Sequence, residues 1–418
     1  MTTLTRAGLE ADLIRRVFAA PPTGSCASRR LGAEVELIPV ESLSGRRCGI
    51  ESGASLCTLP FLRRHGLSEG WTESRTAKGT PCFMLPGGGT LTFEPGGQLE
   101  YSSPPCQSGG ALLQLLRSVI PPLRAAATSE GINLLTAGID PLNTAEQAPM
   151  LIQAERYRRM EAYLAGRGVD GARMMRQTAA FQVSLDFDEE PWLRWRVLNA
   201  AVPFIVAIFA NSPIYAGERT GYQSTRADVW RRVDPSRTGI PYDQRSPIQA
   251  YLDFALAAPA FLLPTLDGEH RPFGDWLTRG DPTTTEWQDH LSTLFPEVRP
   301  RGHLELRSPD AIAPEWYAAP LVLTAGILYD QNALRAAAEV LPLPDVDLLE
   351  RAGRLGMRDG NIARTAAELF ELALAGCVRL GPSYFQPSDI EEARAYFDHY
   401  TRRARSPADD LLRDAAAA

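Results

Sequence analysis

Three short segments of the chain place glutamate where strands are expected. LGAEVELIPV carries Glu34 and Glu36, HLELR carries Glu305 between His303 and Arg307, and Glu94 and Glu100 flank the turn in GTLTFEPGGQLEYSSPP. Residues two apart on a strand share a face. Glu34 and Glu36 are therefore expected on one face, with Val35 and Leu37 on the other, and His303, Glu305 and Arg307 on one face opposite Leu304 and Leu306. Glutamate is disfavoured in strands, and clustered carboxylates repel. For one pair, an ordinary sheet with a solvated face explains the pattern. Recurrence over three segments points instead to bound divalent cations, since Mg²⁺ prefers carboxylate oxygen and commonly bridges to substrate phosphates. Arg307 beside Glu305 adds a fixed positive charge suited to a transferring phosphoryl group.

Other candidates are weaker. GYQSTRADVWRRVDPSRTG holds Arg226, Trp230, Arg231, Arg232 and Arg237. As a loop it suits a carboxylate or phosphate, although a solvated set of salt bridges explains it equally well. PGGGTLTFEPGGQ is glycine-rich, but it lacks the GK[ST] ending and reads as a hairpin. No other phosphate-loop pattern is present, so a nucleotide is expected on a sheet, held through metal. Lone histidines are usually structural, and His303 is the one on the acidic face.

The elements that must position these residues come from periodicity. A helix is expected over about Leu4 to Ala19, then the strand LGAEVELIPV, an irregular stretch from Glu41 to Gly89, and a strand pair folded at Pro95-Gly96-Gly97. Helix is expected over Gly110 to Glu130, a short strand over Asn133 to Gly138, and an amphipathic helix over Met150 to Gly166. AAFQVSLDFD alternates as a strand, placing Gln182, Ser184 and Asp186 on one side. Helix follows over Pro191 to Ala210, then loop from Asn211 to Pro247 and a last strand at HLELR. Residues 314–405 read as helical, and residues 406–418 as a frayed tail. Strands scattered through three quarters of the chain, closed by helices, fit one continuous domain over residues 1–418.

Composition bounds the function. The chain has 418 residues and a formal net charge of −7, and is 44% hydrophobic and 22% charged. That acidity disfavours a nucleic-acid binder. Lys78 is the only lysine, which removes most lysine nucleophiles. Six cysteines without a CxxC pair, and an N-terminus lacking an apolar core, suggest a reduced, cytoplasmic protein. The apolar run from Val197 to Ala210 is short of the roughly 20 residues that span a bilayer.

FEPGGQLEYSSPP, MMRQTAAFQVSLDF, IFANSPIYAGERTGYQSTRADVWRRVDPSRTG and LFPEVRPRGHLELRSPDA occur in this order. Together, from about Leu31 to Asp330, they resemble the motifs of plant-type glutamate–cysteine ligases and their bacterial relatives. The wording VRPRGHLELR is similar to actinobacterial members that make γ-glutamylcysteine for ergothioneine. The resemblance implies an α+β fold: a glutamine-synthetase-like, curved, mainly antiparallel sheet cradling the site, with helices around it. It implies ATP and Mg²⁺, with L-glutamate activated as γ-glutamyl phosphate and captured by the amine of L-cysteine. Glu34, Glu36, Glu94, Glu100, Gln182 and Glu305 match the metal-facing positions. Glu305 and Arg307 match catalytic ones. Arg226, Trp230, Arg232 and Gln98 fall among those implied to hold substrate.

Ser184 stands where many members have asparagine, and no match to the plant regulatory disulfides is evident. A monomer or homodimer without nucleic-acid or membrane partners is expected. The rival readings are the same chemistry on another amine or acid, and a silent ligand-binding homologue. The first reading makes Glu305→Ala an inactive but folded variant.

Overall fold

A computed structural model describes residues 4–19, 29–51, 56–76, 79–242, 246–265, 269–280 and 282–417. Lys78 and Cys26 lie outside these residues. The strands, in chain order, are β1 (Leu31–Glu41), β2 (Thr72–Arg75), β3 (Pro81–Met84), β4 (Thr90–Phe93), β5 (Leu99–Ser102), β6 (Ile132–Leu135) and β7 (Phe181–Leu185), then β8 (Ile214–Tyr215), β9 (Glu218–Arg219), β10 (Val298–Pro300) and β11 (Leu304–Leu306). Nine of them form one sheet in the order β10-β11-β7-β1-β5-β4-β3-β2, with β6 on the far half of β1; β8 and β9 pair separately.

Every pairing in the large sheet is antiparallel. Alternation sorts its two faces. On β1, Val35 and Leu37 are buried while Glu34 and Glu36 are partly open, and on β5 Leu99 and Tyr101 are buried while Glu100 and Ser102 are partly open. The apolar face packs on helices, chiefly α3 (Gly109–Ser129) and the Ala318–Tyr329 helix, which is buried on every side. An apolar helix with no polar stripe belongs inside a large core.

The helix at the N-terminus has two parts: α1 (Arg6–Asp12) and a π-helical turn over Leu13–Phe18. The stretch from Glu41 to Gly89 is more regular than its composition suggests, since α2 (Thr58–Ser68), β2 and β3 occupy much of it. The amphipathic helix α4 (Glu155–Ala165) starts later than expected, and α5 (Asp170–Gln177) leads into β7. After α6 (Pro191–Ile208), the expected loop is broken by the β8–β9 pair and by two helices in its middle. Ser224 caps α7 (Thr225–Val233) by accepting from the Ala227 N–H, and Asp234 caps a further turn. The arginine-rich segment therefore has a helical period, and its side chains diverge.

The tail is not frayed. Pro407–Ala417 is a helix, with the Ser406 N–H bonded to Asp409 and Ala408 buried against the Ala210 carbonyl. Pro at the first helical position and Asp409 and Asp410 in the first turn are ordinary helix-start signals. Among the described residues no helix is long and apolar enough to cross a membrane.

Candidate active site

The polar face of the sheet floors a cleft of about 750 Å³. Strand register builds the floor. Glu36 lies opposite Glu100, Glu34 opposite Gln182, and Glu305 opposite both Ser184 and Arg299. Glu94 enters from the β4–β5 turn, which closes through Gly97 N–H to Glu94 O at 2.8 Å. A Cβ on Gly96 would meet the Arg176 carbonyl at 2.3 Å, so only glycine lets this turn seat against α5.

The carboxylates fall into two settings. The Glu36 carboxylate accepts from Ala180 N at 2.8 Å and from Gln182 Nε2 at 2.9 Å. Gln182 Oε1 in turn accepts from Arg307 Nη1 at 2.8 Å, and Arg307 reaches Glu305 at 3.3 Å. One hydrogen-bonded chain thus joins Glu36, Gln182, Arg307 and Glu305. Glu305 is fully buried and also accepts from Arg299 Nε at 2.6 Å and Arg301 Nη1 at 3.0 Å. Burial opposes its charge, but the three guanidinium groups outweigh burial and hold its carboxyl well below the usual range. Glu34 is pushed up to about 7 by burial and by the charge of Glu305. Burial and the neighbouring Glu34, Glu94 and Glu36 hold Glu100 well above the ordinary value. Burial also raises Glu36.

Among the described residues no three carboxylate, imidazole or thiol groups converge tightly enough to cage a metal by themselves. The donor chemistry still fits a hard cation. The floor supplies carboxylate oxygen, and Gln98 Oε1 is buried in the cleft wall with no donor. Mg²⁺ keeps several waters and takes phosphate oxygens, so an open half-site suits it.

The expected substrate residues separate. Trp230 lines the cleft beneath Arg307, whose guanidinium carbon lies 5.1 Å from the ring centroid. Gln98 lines it too, and its Nε2 donates to Thr178 O at 3.0 Å. Arg226 is buried behind the cleft. It donates to the carbonyls of Arg307 at 2.8 Å and Ser308 at 3.3 Å, and lies 3.8 Å from Asp310. Arg232 points off the cleft and pairs with Asp170 and Asp228. His303 is not in the cleft wall, and burial lowers its proton affinity.

Several cleft residues went unseen in the sequence: Arg16, Arg156, Tyr157, Arg299 and Arg301. Arg299 had a signal, since PEVRP pairs with HLELR and sets it directly across from Glu305. Arg156 had none. It reaches the cleft by donating to Ser292 from more than a hundred residues away.

The model of Glutamate-cysteine ligase family 2 (GCS2) matches residues 30–415. The chain belongs to this family. It is 35% identical over 344 residues to glutamate–cysteine ligase EgtA of Mycolicibacterium smegmatis, covering 78% of each chain. It is 30% identical over 373 residues to the chloroplastic glutamate–cysteine ligase of Medicago truncatula, covering 83% of this chain and 72% of that one. Its fold is similar to that of a glutamate–cysteine ligase from Francisella tularensis solved in complex with AMP, with a TM-score of 0.53 at 14% identity, covering 94% of this chain and 86% of that one. The α+β antiparallel cradle is thus shared with a solved glutamate–cysteine ligase. The strand glutamates, Gln182 and Arg307 all lie within the part of the chain that matches glutamate–cysteine ligase family 2. Arg16 lies before it.

Proposed function

We propose that this chain joins the γ-carboxylate of L-glutamate to the amine of L-cysteine, with ATP as phosphoryl donor and Mg²⁺ as cofactor, giving γ-glutamylcysteine, ADP and phosphate for ergothioneine or a glutathione-type thiol. The observation that carries this reading is the hydrogen-bonded run from Glu36 through Gln182 and Arg307 to Glu305. It joins a carboxylate floor to a guanidinium wall in one cleft. A triphosphate needs both: cations for its charge, and fixed donors for the transferring group.

A carboxylate is a poor electrophile, and phosphorylation supplies a leaving group. A γ-carboxylate oxygen of glutamate attacks the terminal phosphorus and ADP departs. The unprotonated cysteine amine then attacks the acyl carbon and expels phosphate. Glu34, Glu36, Glu94 and Glu100, with Gln182, would hold Mg²⁺, which when bound neutralises the triphosphate and polarises its terminal phosphoryl group. Glu305, whose oxygens are taken up by Arg299, Arg301 and Arg307, would join this set only with one of those pairs released.

Arg307 is oriented by Gln182 and Glu305 and shielded on one side by Trp230, so it meets the equatorial oxygens without reorganising. Arg226 holds the backbone of Arg307 and Ser308 rather than the substrate. The cytoplasm, where ATP and reduced cysteine coexist, is the proposed setting.

ADP release from the purified chain should require glutamate, cysteine and Mg²⁺ together, with γ-glutamylcysteine identified by mass. Phosphate release with another amine, and none with cysteine, would overturn the choice of amine and leave the ligase chemistry standing.

A further inference from the structure

The N-terminal helix lies before the segment shared with the family, yet it forms part of the cleft. After α1 the chain widens into the π-helical turn, closed by Ala19 N–H to Ile14 O at 3.1 Å. Such turns are rare and gather at functional positions. This one is anchored twice. Phe18 is fully buried among Trp195, Tyr251 and Phe187, and the Val17 carbonyl accepts from Gly302 N–H at 2.6 Å. The residues just before these two bonded partners are Arg16 and Arg301, and both line the cleft.

We propose that Arg16 and Arg301 form a clamp on the polyphosphate of the nucleoside triphosphate; this deepens, and rests on, the ATP-dependent reading above. Accessibility separates these two from Arg299 and Arg307. Arg299 and Arg307 are buried on Glu305, with side chains only 12% and 11% exposed, whereas Arg16 and Arg301 are 39% and 52% exposed. Arg16 is also pre-aimed. Its Nε and Nη2 each reach an Asp12 carboxylate oxygen at 2.6 Å, the Gln288 amide lies against it, and Asp12 is fixed by Trp287 Nε1 at 3.1 Å. Two guanidinium groups on segments tied by a backbone hydrogen bond offer donors to adjacent anionic groups. A single carboxylate needs only one of them, whereas a polyphosphate spans both.

The test is titration of the full chain with ATP, ADP and adenosine in Mg²⁺ buffer, alongside steady-state kinetics. Arg16→Ala should weaken ATP and ADP by about tenfold, the loss of one charge-assisted contact, and leave adenosine within twofold. KM for ATP should rise in step, with KM for glutamate unchanged. Arg16→Lys should recover part of the loss. Arg301→Ala, on the other segment, should repeat the pattern, and Arg15→Ala, on the outer side of the helix, should not. An unaffected ATP titration in both Arg16→Ala and Arg301→Ala, beside normal wild-type binding, overturns the clamp alone. A rise in KM for glutamate instead makes these arginines carboxylate holders and also overturns it. A wild-type chain that binds no nucleotide removes the ATP reading and the clamp together.

Discussion

Glu305 and Glu34 sit on one sheet, but only Glu34 lines the cleft while Glu305 is buried beneath its arginine wall, and they carry opposite electrostatics. Glu305 is enclosed by Arg299, Arg301 and Arg307, and its carboxyl is held well below the ordinary range. Glu34 is pushed up by burial and by the charge of Glu305, and Glu100 by burial and by Glu34, Glu94 and Glu36. On the β11 side the fold supplies the counter-charge. On the β1–β5 side the arginines are farther off, and Glu34, Glu36 and Glu100 stay raised. A folded site that keeps uncompensated carboxylates gives up stability that a bound cation can return.

The contrast can be broken most sharply through activity. Glu36→Gln removes one charge from the floor, and Arg307→Lys removes the planar fork. Each should lower kcat by at least about a hundredfold, the scale for losing one preorganised transition-state contact. Single-turnover ADP formation would check this, and near-normal turnover in either variant would take that residue out of the reaction.

Stability should split in sign. Glu305→Ala leaves buried Arg299 and Arg307 without their carboxylate, a loss on the order of 3–5 kcal/mol. The variant should therefore be both inactive and destabilised. Glu100→Gln should raise the metal-free thermal midpoint instead, and a fall there would show that Glu100 is already compensated.

Acidity sharpens the same split. Because Glu34 is pushed up to about 7 when folded, the folded chain binds more protons than the unfolded one between about pH 4.5 and 7. Metal-free stability should therefore fall as pH rises through that window, and Mg²⁺ should restore it above pH 7. Glu305 acts in the opposite sense. Its contribution is present above the unfolded carboxylate value and is lost only in acid. Thermal midpoints at pH 5 and 8, with and without Mg²⁺, separate the two. The smallest effect is reserved for Arg232→Ala, which breaks partly exposed ion pairs worth about 0–1 kcal/mol and should leave KM for both amino acids unchanged.

Much of the floor was legible in the sequence. Strand alternation placed Glu34 with Glu36, and set Glu305 apart from Leu304 and Leu306, because period 2 is a property of the backbone alone. The Pro95-Gly96-Gly97 turn was legible because Pro presets its own φ and Gly97 takes a positive one. Two stretches were misread although their signals were present: Ser224 before TRADVW is a helix cap, and Ser406-Pro407 opens the final helix. Counting arginines in the first made a substrate loop of a helix, so Arg226 and Arg232 were assigned one role although they point to different sides of it.

The sequence by itself determined which strands carry acid on one face and which family the motifs resemble. Only the tertiary structure decided which acids are neutralised. Arg299 reaches Glu305 from the facing strand and Arg301 from the connection after it, Gln182 on another strand ties Arg307 to Glu36, and Arg16 reaches the same cleft from a helix nearly three hundred residues earlier. Charge compensation depends on distances that no local period encodes, so Glu305, the clearest acid in the sequence, proved to be the one whose charge the fold had already met.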